Sequence, residues 1–306
     1  MNEPAIVTKD LTRTFGPVVA VDRLNLGVAK GSLFGIVGPD GGGKSTVMRM
    51  LAAIMEPTSG GAWVAGLSVT GDGEGVKERI GYMSQRFGLY EDLTVIENID
   101  FYADLYEVPK KERQQRIERL LGFSNLTPFS GRLAGRLSGG MKQKLGLACA
   151  LVHTPEVLLL DEPTNGVDPV SRRDFWKILY DLLKEGITIF ISTAYLDEAE
   201  RCTRVGLMHN GRLLMEETPD AIKRSLGRPM IELWSDNPRK AAEVLRSCRG
   251  IGGISIYGQK LHITIEKEEF SCDTVSLMRD KGIEVKGYRE ILPSLEDVFI
   301  AKVKEL

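Results

Sequence analysis

The chain has 306 residues and a mass of 33.8 kDa, with 42% hydrophobic and 27% charged side chains; 40 basic against 42 acidic residues leave a net charge of −2. This composition belongs to an ordinary globular protein of about two domains, and the balanced charge gives no general attraction for nucleic acid or anionic lipid, so no nucleic-acid partner is expected. No stretch approaches the ~18 consecutive apolar residues that span a bilayer, Met1 to Thr8 does not read as a signal peptide, and Cys149, Cys202, Cys248 and Cys272 are too scattered, with only three histidines, for a disulfide scaffold or a Cys/His zinc site. The expectation is a soluble protein in a reduced, cytoplasmic setting.

In chain order, the first strong signal is the apolar run Leu33-Phe34-Gly35-Ile36-Val37, a buried strand leading into a glycine cluster at 38–43 and a helix at Val47-Met48-Arg49-Met50-Leu51-Ala52. Residues 94–151 read as helical, opened by a capping-box pattern at Thr94 and Glu97 and continued by an amphipathic helix from Pro109-Lys110-Lys111. Buried strands are expected at 157–160 and 188–192. Strands separated by helices predict a mostly parallel α/β core with its ligands at the carboxyl ends of the strands. After about residue 225 the texture changes: strand 230–234, helix 240–246, a hairpin of 254–256 with 261–265 around Gly258, helix 273–280, strand 283–288 and a last helix from Ser294. That βαββαβα order predicts a split βαβ, ferredoxin-like domain. Domain limits of 1–222 and 228–306 follow.

Gly38-Pro39-Asp40-Gly41-Gly42-Gly43-Lys44-Ser45, followed by Thr46, satisfies G-x-x-x-x-G-K-[ST] between a strand and a helix. The glycines let backbone N–H groups turn onto a phosphate chain, and the helix adds the positive end of its dipole. Lys44 is placed for the β- and γ-phosphates of ATP, and Ser45 for Mg²⁺. Leu158-Leu159-Leu160-Asp161-Glu162 is an apolar strand ending in two carboxylates, Asp161 to hold Mg²⁺ and Glu162 to polarise an attacking water. No Asn-Lys-x-Asp guanine-reading motif is present.

Leu137-Ser138-Gly139-Gly140-Met141-Lys142-Gln143 supplies a second capped, glycine-bare helix start. Its LSGG-x-x-Q form resembles the signature motif of the ATP-binding cassette (ABC) ATPases. Further landmarks of that family occur in order: Phe15 where an adenine-stacking aromatic is placed, Gln85 in a Q-loop that runs through Arg86, Phe87 and Gly88, and Asp168 in the D-loop Gly166-Val167-Asp168-Pro169. Singly, Phe15 reads as core packing, Gln85 as a loop amide and Asp168-Pro169 as turn chemistry; their shared order favours the functional readings. The resemblance implies a P-loop NTPase core with a helical subdomain at about 86–155. It assigns Glu162, Gln85 and Lys44 to catalysis, residues 38–46 and Phe15 to the nucleotide, and Ser45, Gln85 and Asp161 to the metal. It also implies a head-to-tail dimer in which Ser138, Gly139, Gly140, Gln143 and Asp168 complete the partner's site.

Residues 87–94, the run Tyr195 to Cys202 and the ending Pro293-Ser294-Leu295-Glu296-Asp297-Val298-Phe299 resemble the ABC-2-type exporter branch, most closely the N-terminal cassette of tandem multidrug-type exporters. The resemblance implies a peripheral subunit on the inner face of the membrane, pairing with a second cassette and driving a separate ABC-2-type permease, with Leu89-Tyr90 as the contact. One departure stands out: the family's Ser-Thr-His run is Ser192-Thr193-Ala194 here. Ala194 cannot donate to a γ-phosphate, and His153, His209 and His262 are not well placed to substitute. Losing one preorganised donor typically costs ~10²–10³ in rate, so slow hydrolysis is expected, and pairing with a second, histidine-bearing cassette is favoured. The competing readings are a regulatory ATP-binding subunit and a non-transport ABC ATPase acting on ribosomes or DNA.

Overall fold

A computed structural model describes residues 4–86, 88–248, 250–265 and 272–304. They fall into two units, Met1–Glu216 and Glu217–Leu306. Among the described residues, no helix is long and apolar enough to cross a membrane.

The first unit opens with an antiparallel hairpin, β1 (Pro4–Phe15) and β2 (Val18–Ala29), turned at Gly16-Pro17. β2 alternates Leu24, Leu26 and Val28 inward against exposed Asn25, Gly27 and Ala29, the period-2 pattern of a half-buried strand. After β3 (Leu33–Val37) and α1 (Lys44–Leu51), the hairpin sheet gains β4 (Ser59–Val64) and β5 (Leu67–Ser68), in the order β2-β1-β4-β5. Its inner face shares one core with α1, including Ile6, Leu11, Val21, Val47, Met48 and Leu51.

α2 (Gly73–Arg79) then leads to β6 (Ile80–Met83). The helical stretch that follows is three helices, α3 (Val95–Leu105), α4 (Lys110–Phe123) and α5 (Gly139–Leu151), with two 3₁₀ turns between the last pair. Thr94 and Glu97 form the reciprocal capping box expected of α3. β7 (Val157–Asp161), α6 (Pro169–Lys184), β8 (Thr188–Thr193), α7 (Leu196–Ala199) and the hairpin β9 (Arg204–His209)–β10 (Arg212–Glu217) complete the unit.

The second sheet runs β10-β9-β3-β8-β7-β6. β3, β7 and β8 are buried at every residue, as strands of a parallel sheet covered on both faces must be. β3 pairs in parallel with β8 and β9, and β7 with β6 and β8. The registers Asp161↔Ser192 and Val37↔Thr193 bring three strand ends to one edge. The loops at 38, 162 and 194 therefore leave the sheet side by side, which is where open α/β sheets place their ligands.

In the second unit α8 (Pro219–Arg224) precedes β11 (Met230–Ser235), α9 (Pro238–Arg246), β12 (Ile251–Tyr257), β13 (Lys260–Ile265), α10 (Cys272–Asp280), β14 (Val285–Ile291) and α11 (Leu295–Lys304). The sheet order β12-β13-β11-β14 is antiparallel throughout, which is the expected split βαβ arrangement. Leu233, Leu245, Leu261, Ile263 and Met278 form its own core.

The rings of Phe34 on β3 and Phe190 on β8 stack at 5.3 Å, both fully enclosed, and weld the two strands that carry the site loops. Phe190→Ala is expected to cost the first unit about 3–5 kcal/mol, measured as a shift of its urea midpoint at constant slope.

Candidate active site

The loop after β3 is forced into shape by its neighbours. A Cβ on Gly38 would lie 2.0 Å from the Met208 carbonyl oxygen of β9, and one on Gly43 would lie 2.3 Å from the Ala20 carbonyl oxygen of β2. Gly41 and Gly43 also take φ of 75° and 101°, which side chains resist. Gly42 is fixed by donation from the Gly211 N–H to its carbonyl. Gly43 caps α1 without a side chain, leaving the helix's first N–H groups for an anion. Pro39, Asp40 and Gly41 form the exposed tip, and Thr46 is half-buried in the first turn of α1.

Lys44 folds back into this loop. Its ammonium donates to the carbonyls of Gly38 (2.9 Å) and Pro39 (3.1 Å) and lies 3.1 Å from Glu162 Oε1, with the side chains of Lys44 and Glu162 only 3% and 10% exposed. Gln85 Nε2 donates to Glu162 Oε2 at 3.1 Å, and Asn165 Nδ2 donates to the same oxygen at 3.4 Å. Glu162 itself has φ 49°, a strained value for a non-glycine residue, held by donation of its N–H to the carbonyl and hydroxyl of Ser192. Next to it, Asp161 Oδ1 accepts from the hydroxyls of Ser45 (3.0 Å) and Ser192 (2.6 Å). Burial, with the Asp161 charge second, pushes the nearby Tyr82 phenol up to about 12. The Ser45 hydroxyl and the Asp161 carboxylate form a hard, oxygen-only donor set of the kind Mg²⁺ takes.

Lys44, Ser45, Gln85, Asp161 and Glu162 thus meet in one cluster. The other expected site residues lie elsewhere on the unit. Phe15 is exposed at the turn end of the β1–β2 hairpin, its ring 4.7 Å from the Arg13 guanidinium. Ser138 caps α5 by accepting from the Met141 N–H, Gly139 is exposed, and Gln143 is half-buried on α5. Gly140 packs so tightly on α6 that a Cβ would meet Ser171 Cβ at 2.4 Å. Asp168 caps α6 through the N–H groups of Val170 and Ser171, and the hydrogen bonds from Ser171 foremost hold its carboxyl below the usual range. Among the described residues, no hydrogen bond or ion pair joins Asp168 or residues 138–143 to residues 38–46. Phe87 lies outside the described residues.

Ala194 is exposed directly after β8, where the Val37↔Thr193 register sets it beside Gly38. His153 stacks on Tyr106 at 3.8 Å and shares a hydrogen bond with the Ile80 carbonyl, at the opposite end of the sheet, and burial pulls its pKa down. His209 ends β9, with β3 and β8 between it and Glu162's strand. Three strand spacings put it roughly 14 Å away. His262 belongs to the second unit, paired with Asp297 at 3.0 Å.

Sequence reasoning missed Ser192, Asn165, Tyr195 and Glu198. Glu198 is fully buried and accepts from Thr164 (2.6 Å) and Thr193 (2.9 Å). Ser192 lay in the Ser-Thr-Ala run, and Tyr195 and Glu198 in the 195–202 run, without any signal for their hydrogen bonds.

Residues 21–165 match the family described as ABC transporter, and residues 218–303 match ATP-binding protein DrrA1-3-like, C-terminal domain. The probable multidrug ABC transporter ATP-binding protein YbhF of Escherichia coli (strain K12) is 43% identical over 304 residues, covering 98% of this chain and 52% of that protein. The chain therefore spans about half the length of that relative. The daunorubicin/doxorubicin resistance ATP-binding protein DrrA of Streptomyces peucetius is 33% identical over 302 residues, covering 97% of this chain and 92% of its own length. Among solved structures, the ATP-binding cassette MJ0796, a dimer in a post-hydrolysis state bound to ADP and Pi, superimposes with a TM-score of 0.64 at 26% identity, over 70% of this chain and 98% of that one. The first unit has the P-loop fold of an ATP-binding cassette. The chain belongs to the ATP-binding proteins of the ABC transporter family and carries their DrrA-like C-terminal domain.

The two left-handed glycines of the loop differ in their surroundings, since a Cβ on Gly41 meets nothing within 4 Å. Each alanine is expected to cost about 1–3 kcal/mol for its backbone conformation. Gly43→Ala carries the further clash with Ala20, so urea denaturation should rank it clearly below Gly41→Ala.

Proposed function

We propose that this chain is the ATP-hydrolysing motor subunit of an ABC-2-type exporter, cytoplasmic and peripheral on the inner face of the membrane. The observation that carries this reading is the convergence of Lys44, Ser45, Gln85, Asp161 and Glu162 beside a glycine loop at one sheet edge. In it, Lys44 turns from Glu162 to the β- and γ-phosphates of ATP, and residues 38–46 wrap the phosphates with backbone N–H groups. Ser45, Asp161 and Gln85 hold Mg²⁺, which when bound neutralises phosphate charge. Glu162, released by Lys44, polarises the attacking water. Phe15 offers its exposed face to adenine.

Ser138, Gly139, Gly140 and Gln143, together with Asp168, serve the site of a second cassette, which is why they stand apart from their own phosphate loop. Neither half alone encloses a γ-phosphate, so ATP joins two cassettes and hydrolysis parts them. The permease contact is supported by a cavity of about 730 Å³ lined by Ile54, Glu78, Tyr82, Leu105, Tyr106 and His153, with Ile54 and Leu105 more than half exposed. An apolar helix end of a permease fits such a groove. Leu89-Tyr90 is the less favoured contact: Tyr90 is tied to Asn98 through its backbone and packs edge-on against Phe101 at 4.5 Å. Residues 228–306 act as an accessory domain, and cargo selection rests with the permease.

Ala194 leaves one donor out of this site. ATP turnover of the purified chain is expected to rise tenfold or more in Ala194→His, with Lys44→Ala at background. If wild-type turnover is already brisk and histidine adds nothing, the weakened-site reading is wrong and the chain hydrolyses without that donor.

A further inference from the structure

Glu162 needs a hydrogen-bond donor to aim its carboxylate, and residue 194 offers only a methyl group. Its present partners are Lys44, Gln85 and Asn165. In the proposed function, on which this inference rests, Lys44 and Gln85 leave for the phosphates and the metal. Asn165 is the partner that stays. It sits three residues along the same turn, and its N–H donates to the Glu162 carbonyl at 3.1 Å.

The Asn165 amide has a fixed way round. The Glu162 carboxylate can only accept, so it takes the Asn165 Nδ2, and the Oδ1 is left to accept from the Tyr195 hydroxyl at 3.5 Å. Tyr195 immediately follows Ala194, and its N–H donates to Thr193 Oγ1 at 3.0 Å. Its ring is covered by the Arg172 guanidinium at 4.7 Å, and Arg172 Nε lies 3.4 Å from Glu198. The buried Glu198 carboxylate takes the hydroxyls of Thr164, next to Asn165, and Thr193, next to Ala194. One buried carboxylate thereby holds the residue before Asn165 and the residue before Ala194, while Asn165 and Tyr195 themselves are exposed.

We propose that Asn165, oriented by Tyr195 and anchored through Arg172 and Glu198, is the positioning residue that steadies Glu162 in the place left without a histidine. The two amide contacts are long, as catalytic hydrogen bonds commonly are before substrate is bound. The relay moves no proton; it holds an oxygen in place.

The test is a double-substitution cycle on the full chain, reading kcat and KM for ATP at saturating Mg²⁺. Asn165→Ala is expected to lower kcat about tenfold, the scale of one hydrogen bond to a charged group, with KM within twofold. In an Ala194→His background the same substitution should cost no more than about twofold, because the new imidazole takes over the duty. A turn residue with a purely structural role would lose the same factor in both backgrounds, and that result overturns the relay, as does an unchanged kcat. Tyr195→Phe keeps the ring under Arg172 and removes only the hydroxyl. It is expected to lower kcat about threefold in the wild-type background alone, and full activity there overturns the orienting role even if Asn165→Ala does not fold. If turnover in neither background exceeds that of Glu162→Gln, the water-polarising role of Glu162 falls first and the relay with it; turnover that depends on Glu162 but ignores Asn165 removes the relay alone.

Discussion

The site is organised around a buried ion pair, Lys44 with Glu162, at the carboxyl edge of a parallel sheet. Two charges taken out of water are tolerated only with close partners, and removing one leaves the other costly. The fold supplies those partners from three strand ends. The loop after β3 gives the Gly38 and Pro39 carbonyls to the ammonium, and the loop after β6 gives Gln85 to the carboxylate. β8 gives the Ser192 carbonyl and hydroxyl that hold Glu162 at a positive φ. A phosphate chain offers Lys44 a competing anion. In the proposed function, substrate binding and release of the carboxylate are then the same event, and a free chain keeps Glu162 paired with Lys44.

The same geometry underlies the proposed pairing of two cassettes. The signature turn at 138–140 is built on α5, whose Gly140 is pressed against α6, and α6 begins at the Asp168 cap. These two helix starts pack against each other and, among the described residues, share no hydrogen bond with their own phosphate loop. Two strain-bearing elements, Glu162 in the left-handed region and the Gly41–Gly43 loop, sit where the proposed chemistry occurs, in keeping with strain being stored at functional sites.

The parts of this arrangement that were legible in the sequence are those where backbone geometry leaves little choice. Gly38 and Gly43 admit no Cβ, the short all-apolar run ending in Asp161 is a buried strand, and Thr94 with Glu97 closes a helix start locally. The antiparallel sheet of residues 4–29 was missed, although Leu24, Leu26 and Val28 alternate. In β1 the pairing shifts at Thr8/Leu11 and again before Thr14, which breaks the period that betrays a strand. Within 94–151 the opening of a helix at Pro109 was legible, while the end of α3 near Glu107 and of α4 near Asn125 was not, because those turns are made by non-glycine residues at φ 52° and 57°. The strand expected at 283 begins at Val285. The proposed relay of Asn165, Tyr195, Arg172 and Glu198 spans 34 positions of sequence, and no local pattern could have announced it.

The exchange of Lys44 between carboxylate and phosphate is tested most directly by the affinity of Mg·ADP for wild type and Glu162→Gln, measured by titration calorimetry at one salt concentration. ADP occupies a single phosphate loop, so the reading depends neither on pairing with a second cassette nor on turnover. Removing the carboxylate takes away both the competitor for Lys44 and a negative charge beside the phosphates, and a dissociation constant about tenfold lower is expected, the scale of one hydrogen-bonded charge. An affinity unchanged or weakened by Glu162→Gln would contradict the exchange and detach Glu162 from control of the nucleotide.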